Sequence, residues 1–166
     1  MIGAVIDTLM RARAMTQLDL ARALGVTQAT ISRYISGSRE PRDDEMTRIA
    51  EVLGVSKSFL QHDFKLRSAI SVNAHMRRQR TTRVKEWKRA EAQLNTWRMH
   101  LAMLTSTAPL QANEVVPKYD YAYASPKQAA MDTRTAWRVP LGPIRSISAL
   151  LEAAGVIIID TDLGTQ

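Results

Sequence analysis

Apolar residues in the first third of the chain recur every three or four positions, in short runs interrupted by turn-forming residues. The first run holds Ile2, Val5, Ile6, Leu9 and Met10, and it predicts a helix over residues 2–14. Shorter runs predict helices that begin at Gln17 and at Gln28, a helix over about residues 43–53, and a last short helix carrying Phe59 and Leu60. This spacing indicates a small all-α domain over residues 1–63.

The junction between the second and third predicted helices is unusually tight. Gly25 can adopt the positive φ that ends one helix, and Thr27 is a good N-cap for the next. Ala21 is small where the helices would touch, and Val26 and Ile31 would set their angle. Such a pair is typical of a helix-turn-helix, in which the second helix enters the DNA major groove. Ordinary packing in an all-α protein is the alternative interpretation.

The outward positions of the predicted third helix carry short polar or small side chains that suit base edges. We predict base contacts from Gln28, Ala29, Thr30, Ser32 and Arg33. The amide of glutamine can form paired hydrogen bonds with adenine, threonine and alanine can meet a thymine methyl group, and arginine can reach guanine or a phosphate. Which base each residue reads does not follow from the sequence.

The pattern TQxDLAxxLGVTQxTISRYxSG from Thr16 to Gly37, with the segment from Pro41 to Val55, resembles the five-helix DNA-binding domain of lambdoid phage repressors and of XRE-type regulators. The resemblance covers most of residues 1–62. It implies that Gln17 lies beside a phosphate and helps to orient Gln28. We also expect phosphate contacts from Thr27, Tyr34 and Arg39.

Positive charge is concentrated in the middle of the chain. The net charge is +7; residues 1–64 hold eight basic and eight acidic side chains, residues 65–100 hold ten and two, and residues 101–166 hold five and six. A basic run next to the DNA-reading domain would add affinity through phosphates, although most charge runs are solvated surface. We favour phosphate contacts from Arg77, Arg78, Arg80, Arg83 and Lys85.

A long helix is predicted from a cap at Thr82 to about Ser106. An apolar seam with heptad spacing follows it: Trp87, Ala90, Leu94, Trp97, Leu101 and Leu104. The seam can pack on the carboxy-terminal part of the same chain or on a second copy. A homodimer would read a palindrome, and a monomer with a second contact from the basic middle would read an asymmetric site. The charge excess favours the monomer slightly, because like charges on paired segments repel.

The last part of the chain predicts a helix capped by Ser125, a helix from about Pro143 to Gly155, and a short strand over Val156–Ile159. The segments SPKQAA from 125, WRVPLGPI from 137 and LEAAGVIIID from 151 resemble the start of ImmA/IrrE-type metallopeptidase domains. The HExxH motif that would hold zinc in that family is absent, and His62, His75 and His100 have no equivalent spacing. We therefore expect no enzyme, no metal and no cofactor.

Composition adds bounds to this picture. Cysteine is absent and no apolar stretch approaches the length of a membrane span, so we expect a cytoplasmic protein. The expected fold is mainly α: a five-helix lambda-repressor-like DNA-binding domain (residues 1–63), a basic junction and long helix (64–106), and a small α-rich region with at most a short β element (107–166).

The expected function is that of a sequence-specific transcriptional repressor of the phage or prophage immunity type, whose partner is double-stranded operator DNA. Two alternatives stay open at this point. The chain could be a regulator-peptidase fusion that lacks its catalytic half, or an antitoxin-type regulator.

Overall fold

Helices dominate the structure, a computed structural model that describes residues 2–64, 84–120 and 125–160. The helices are α1 (Ile2–Ala12), α2 (Gln17–Leu24), α3 (Gln28–Ser36), α4 (Asp43–Val52), α5 (Lys57–Gln61), α6 (Val84–Thr107), α7 (Pro126–Ala136) and α8 (Ile147–Ala153). The described residues contain no strand. The predicted mainly α fold is confirmed.

The described residues divide into two compact units, residues 2–108 and residues 109–160. The first unit contains the five short helices and the long helix α6. Its core includes Val5, Ile6 and Leu9 of α1, which are at most 1% exposed. Leu20 and Ala21 of α2 lie in the same core, as do residues from α3, α4, α5 and α6.

Helix α1 lies directly against the carboxy-terminal end of α3. A Cβ atom on Gly3 would lie 2.4 Å from the carbonyl oxygens of both Tyr34 and Ile35. No carbon atom fits that close to a backbone oxygen, so this approach requires glycine. The contact fixes the position of α3 from behind.

Local signals set the ends of α2 and α3 as the sequence predicts. The Asp19 amide donates to Thr16 Oγ1 at 3.2 Å, and the Thr16 amide donates to Asp19 Oδ2 at 2.9 Å, which is a capping box. Gly25 ends α2 in the left-handed region, with φ of 67°, and Thr27 caps α3 by accepting from the Thr30 amide. The helix, turn and helix predicted from these residues are confirmed.

The long helix α6 packs on the five helices before it through a face that coincides only in part with the predicted seam. Met99 is 3% exposed and lies in the core, and Met103 packs against that core. The His100 ring contacts Phe59, with ring centroids 4.5 Å apart. Trp97 and Leu104 of the predicted seam are instead 42% and 65% exposed. The prediction of a covered seam is therefore wrong for Trp97 and Leu104, whereas Ala90 of the same seam is only 4% exposed.

Three other predictions on element bounds were wrong, and a fourth concerns a residue outside the described ranges. The first helix ends at Ala12, because Ala14 has a positive φ of 54°. The helix predicted from Pro143 begins at Ile147, with Ser146 as its cap. The strand predicted over Val156–Ile159 is not formed with any described residue, and these side chains are about 40% exposed. The predicted cap at Thr82 lies outside the described residues.

The second unit is small and exposed. As predicted, Ser125 caps α7 and Pro126 is its first residue. The Trp137 indole donates to the Val115 carbonyl at 2.8 Å, and the Asn113 amide donates to the Ala153 carbonyl at 2.8 Å. These bonds tie the extended segment before α7 to both helices of the unit.

The face of α6 that packs on the core can be tested by two truncations. Met99→Ala should lower the free energy of unfolding by about 2–5 kcal/mol, because it removes a buried side chain and leaves a cavity. Leu104→Ala, on the exposed face, should change it by no more than about 0.5 kcal/mol. Chemical denaturation measures both values. Equal losses for the two variants, or a larger loss for Leu104→Ala, would contradict this packing.

Candidate nucleic-acid interface

One face of α3 is exposed and polar, and the opposite face is core. Ile31 is fully buried and Tyr34 is 1% exposed, so the inner face is fixed against the other helices. Gln28, Ala29, Ser32 and Arg33 are exposed on the outer side, and Thr30 is partly exposed. All five residues predicted to contact bases therefore have side chains that reach the surface, on a helix whose backbone is held from behind.

The first turn of α3 has an internal hydroxyl contact. Thr27 and Thr30 place their hydroxyl oxygens 3.0 Å apart, and the Thr30 amide donates to Thr27 Oγ1 at 3.3 Å. Each hydroxyl keeps further hydrogen-bonding capacity, because a hydroxyl carries one donor and two acceptor sites. Thr27 is exposed at the start of the helix, where we predict a phosphate contact.

Tyr34 is not available to a phosphate, in contrast to the sequence prediction. It is 1% exposed and belongs to the core around α1 and α4. Burial raises the pKa of Tyr34, and the nearby Glu45 carboxylate adds to that rise. Tyr34 therefore supports the interface by packing, and its assignment as a phosphate contact was wrong.

Arg39 is exposed but held in place by two neighbours. Its Nη2 donates to Glu45 Oε1 at 2.8 Å, and its guanidinium lies 5.4 Å from the centre of the Tyr34 ring. The side chain is still 41% exposed. An arginine has five N–H donors, so donors remain for a phosphate while the head group is oriented.

Glu45 is the site residue that the sequence analysis missed. Its Oε2 accepts from the Arg42 amide at 2.8 Å at the start of α4, and its other oxygen accepts from Arg39. The backbone hydrogen bond from Arg42 lowers the pKa of Glu45. An acidic residue at the third position of a predicted helix is a known capping signal, and it could have identified this role.

Two of the remaining predicted phosphate contacts lie within the described residues, and four lie outside them. Gln17 is partly exposed at the first position of α2, between Thr16 and Asp19 of the capping box. Lys85 is exposed in the first turn of α6. Arg77, Arg78, Arg80 and Arg83 lie outside the described residues.

The comparisons with known proteins agree with this geometry. Residues 6–60 match the family model described as "Helix-turn-helix". The amino-terminal part of the chain is a helix-turn-helix domain. The match supports a DNA-binding regulator of the XRE type, and it covers α2, α3 and α4 in full and most of α1 and α5. Comparison with curated proteins and with solved structures gave no match. The resemblance of the last part to ImmA/IrrE-type domains stays a prediction.

Within residues 2–64, 84–120 and 125–160, no three His, Cys, Asp or Glu side chains lie close enough together to hold a metal ion. None of the helices in these ranges has the length and hydropathy that a membrane crossing needs.

The lowered pKa of Glu45 predicts a pH dependence of stability. A carboxyl whose pKa is lower in the folded protein favours folding above its ordinary pKa, and this contribution is lost as the pH falls through the folded value. Glu45→Gln should therefore lower the free energy of unfolding at pH 7 and make it fall less steeply toward pH 3. Chemical denaturation at a series of pH values measures this. A variant that parallels the parent at every pH would contradict the role assigned to Glu45. Glu51→Gln, which removes an exposed charge later in α4, should differ little from the parent at pH 7.

Proposed function

We propose that this protein is a sequence-specific transcriptional repressor that acts by occupying an operator in double-stranded DNA. The observation that carries the proposal is α3, whose inner face is fixed in the core by Ile31 and Tyr34 and whose outer face presents exposed polar side chains. In helix-turn-helix proteins this second helix lies in the major groove with its amino-terminal residues at the base edges.

The position of each side chain decides whether we expect it to contact bases or phosphates. Gln28, Ala29, Thr30, Ser32 and Arg33 would read base edges from one helix face. Gln17, Thr27 and Arg39 would contact phosphates from positions that flank that face and set the register of the helix on the duplex. Arg39 supports this assignment best, because Glu45 and Tyr34 hold its guanidinium ready.

A repressor of this kind needs no reaction of its own. A domain bound tightly over a promoter excludes other proteins from the same DNA, so we propose that occupancy is the mechanism. The resemblance to phage repressors supports a role in phage or prophage immunity.

The run from Arg77 to Lys85 is proposed as a further phosphate contact. The support is its composition, since five cations in nine residues follow a DNA-binding domain. Replacing Arg77, Arg78 and Arg80 together with Ala should weaken binding to all DNA and flatten the slope of log affinity against log salt by up to about 3 units. Titration at several salt concentrations measures the slope. An unchanged slope would show that the run is a solvated surface.

The exposed seam on α6 bears on the number of chains per site. Trp97 and Leu104 lie on a different side of α6 from Met99 and Met103, which pack on the core. Both Trp97 and Leu104 are exposed. This exposure supports pairing of two copies through α6, in which case the operator would be a palindrome. Sedimentation of the DNA complex decides between one and two chains per site.

Base reading by α3 is tested by a matched pair of glutamine variants. Gln28→Ala should cost about 1–3 kcal/mol of binding free energy on the selected site and relax the preference at one base pair. Gln61→Ala makes the same chemical change at an exposed position at the end of α5 and should bind as the parent does. Gel-shift titration on the selected site and on random DNA measures both. A Gln28→Ala variant with the parent's affinity and preference would contradict the assignment.

A further inference from the structure

The face of α6 that packs on the core continues toward the start of the helix as a row of cations. Ala92, Thr96, Met99 and Met103 follow each other at steps of four, three and four residues. Lys88 and Arg89 lie four and three residues before Ala92, and Lys85 lies three residues before Lys88. Because residues three or four apart share one side of a helix, these cations lie on the same side of α6. One side of α6 is therefore apolar in its second half and positively charged in its first turns.

These cations line a cavity of about 710 Å³ between α6 and the corner that joins α1 to α2. The corner contributes Arg11, Met15 and Thr16, and α6 contributes Lys85, Lys88 and Arg89. The volume lies within the range of roughly 300–1,000 Å³ that is usual for small-molecule sites in proteins. The cavity is thus large enough to receive part of a charged ligand.

Among the described residues, three of the four cations that line the cavity form no ion pair. Arg11 forms an ion pair with Asp7 at 2.6 Å, and Glu86 contributes one carboxylate to the lining. In the described ranges, no acidic side chain forms an ion pair with Lys88 or Arg89, and both are exposed. Like charges placed this close repel each other, so an anion would find a favourable potential there.

The position of the cavity beside α2 favours a DNA phosphate as the anion that it binds. Thr16 lines it and is the N-cap of α2, and Gln17 follows as the first residue of that helix. In helix-turn-helix complexes the first helix of the pair crosses the DNA backbone while the second lies in the groove. The cavity therefore lies beside the amino-terminal end of α2, the helix of the pair that crosses the DNA backbone in such complexes.

We propose that this cavity binds backbone phosphates of the DNA that α3 reads, with Lys88 and Arg89 as the principal contacts. The inference rests on the proposed function and extends it to a second element, since α6 would hold the duplex from beside the helix pair. The alkyl stems of the cations and Met15 would contact the deoxyribose, which suits a largely apolar wall with charged head groups. Arg11 would stay paired with Asp7 and would add little to the positive field.

The test compares two arginines of the same helix. Arg89→Gln should flatten the slope of log affinity against log salt by about 0.9, and the double variant Lys88→Gln with Arg89→Gln should flatten it by about 1.8, since each phosphate contact releases counterions. Arg98→Gln makes the same change at an exposed position of α6 outside the cavity lining and should keep the parent's slope. Gel-shift titrations with the full chain on its selected site measure all four slopes. Base preference should be unchanged in every variant.

The outcomes separate this inference from the proposed function. A parent chain that selects no DNA sequence would overturn the proposed function itself. A parent that selects a site, with double-variant and parent slopes equal, would overturn only the cavity contact. Calorimetric titration with inorganic phosphate at constant ionic strength distinguishes free phosphate from DNA phosphate as the ligand. If the parent binds inorganic phosphate, the double variant does not, and the two have equal slopes on DNA, the cavity is a site for free phosphate. That result would contradict the proposal. A lower unfolding temperature of the double variant would assign the cations to packing and would also contradict it.

Discussion

The packing of α1 against the back of α3 is the contact on which the rest of the interface depends. Gly3 lets the α1 backbone approach the carbonyl oxygens of Tyr34 and Ile35, and Ile31 is fully buried on the same side. Protein interiors are close-packed, so a helix held this tightly has little freedom to rotate. The Cα–Cβ bonds of the polar residues on its other face consequently point in fixed directions, which discrimination between bases requires.

The same region connects packing to charge. Tyr34 lies in the core, its ring faces Arg39, and Glu45 holds the Arg39 guanidinium from the start of α4. A cation beside α3 is therefore oriented by residues from two helices. Preorganised groups of this kind lose less entropy on binding than free surface side chains do. Helix α6 also combines packing and charge, because its second half packs on the core and its first turns carry cations.

The sequence predicted well what local chemistry decides. Gly25 and Thr27 specify a turn and a cap whatever surrounds them, and the helix pair follows from those two residues and the apolar positions beside them. The burial of Tyr34 could have been inferred, because it lies one turn after Ile31 on the same side of α3. A tyrosine has both an apolar ring and a polar hydroxyl, so residue type alone does not decide between core and surface.

The wrong predictions concern features that depend on neighbouring elements of the fold: which face of α6 is buried and whether residues 156–159 form a strand. Two sets of α6 residues have heptad spacing, the more apolar one with Trp97 and Leu104 and the other with Ala92, Met99 and Met103; the second packs on the core. Periodicity shows that a face exists and does not show what covers it. The apolar segment Val156–Ile159 likewise needed a neighbouring strand to form a sheet, and the described residues provide none.

The central claim is that α3 reads bases in the major groove. Selection of binding sites from random DNA by the purified chain, followed by methylation interference on the recovered site, tests it most directly. Enrichment of one defined sequence, with loss of binding when guanine N7 atoms in the major groove are methylated, is the result that this account predicts. Recovery of unrelated sequences, or binding that is indifferent to major-groove methylation, would contradict it.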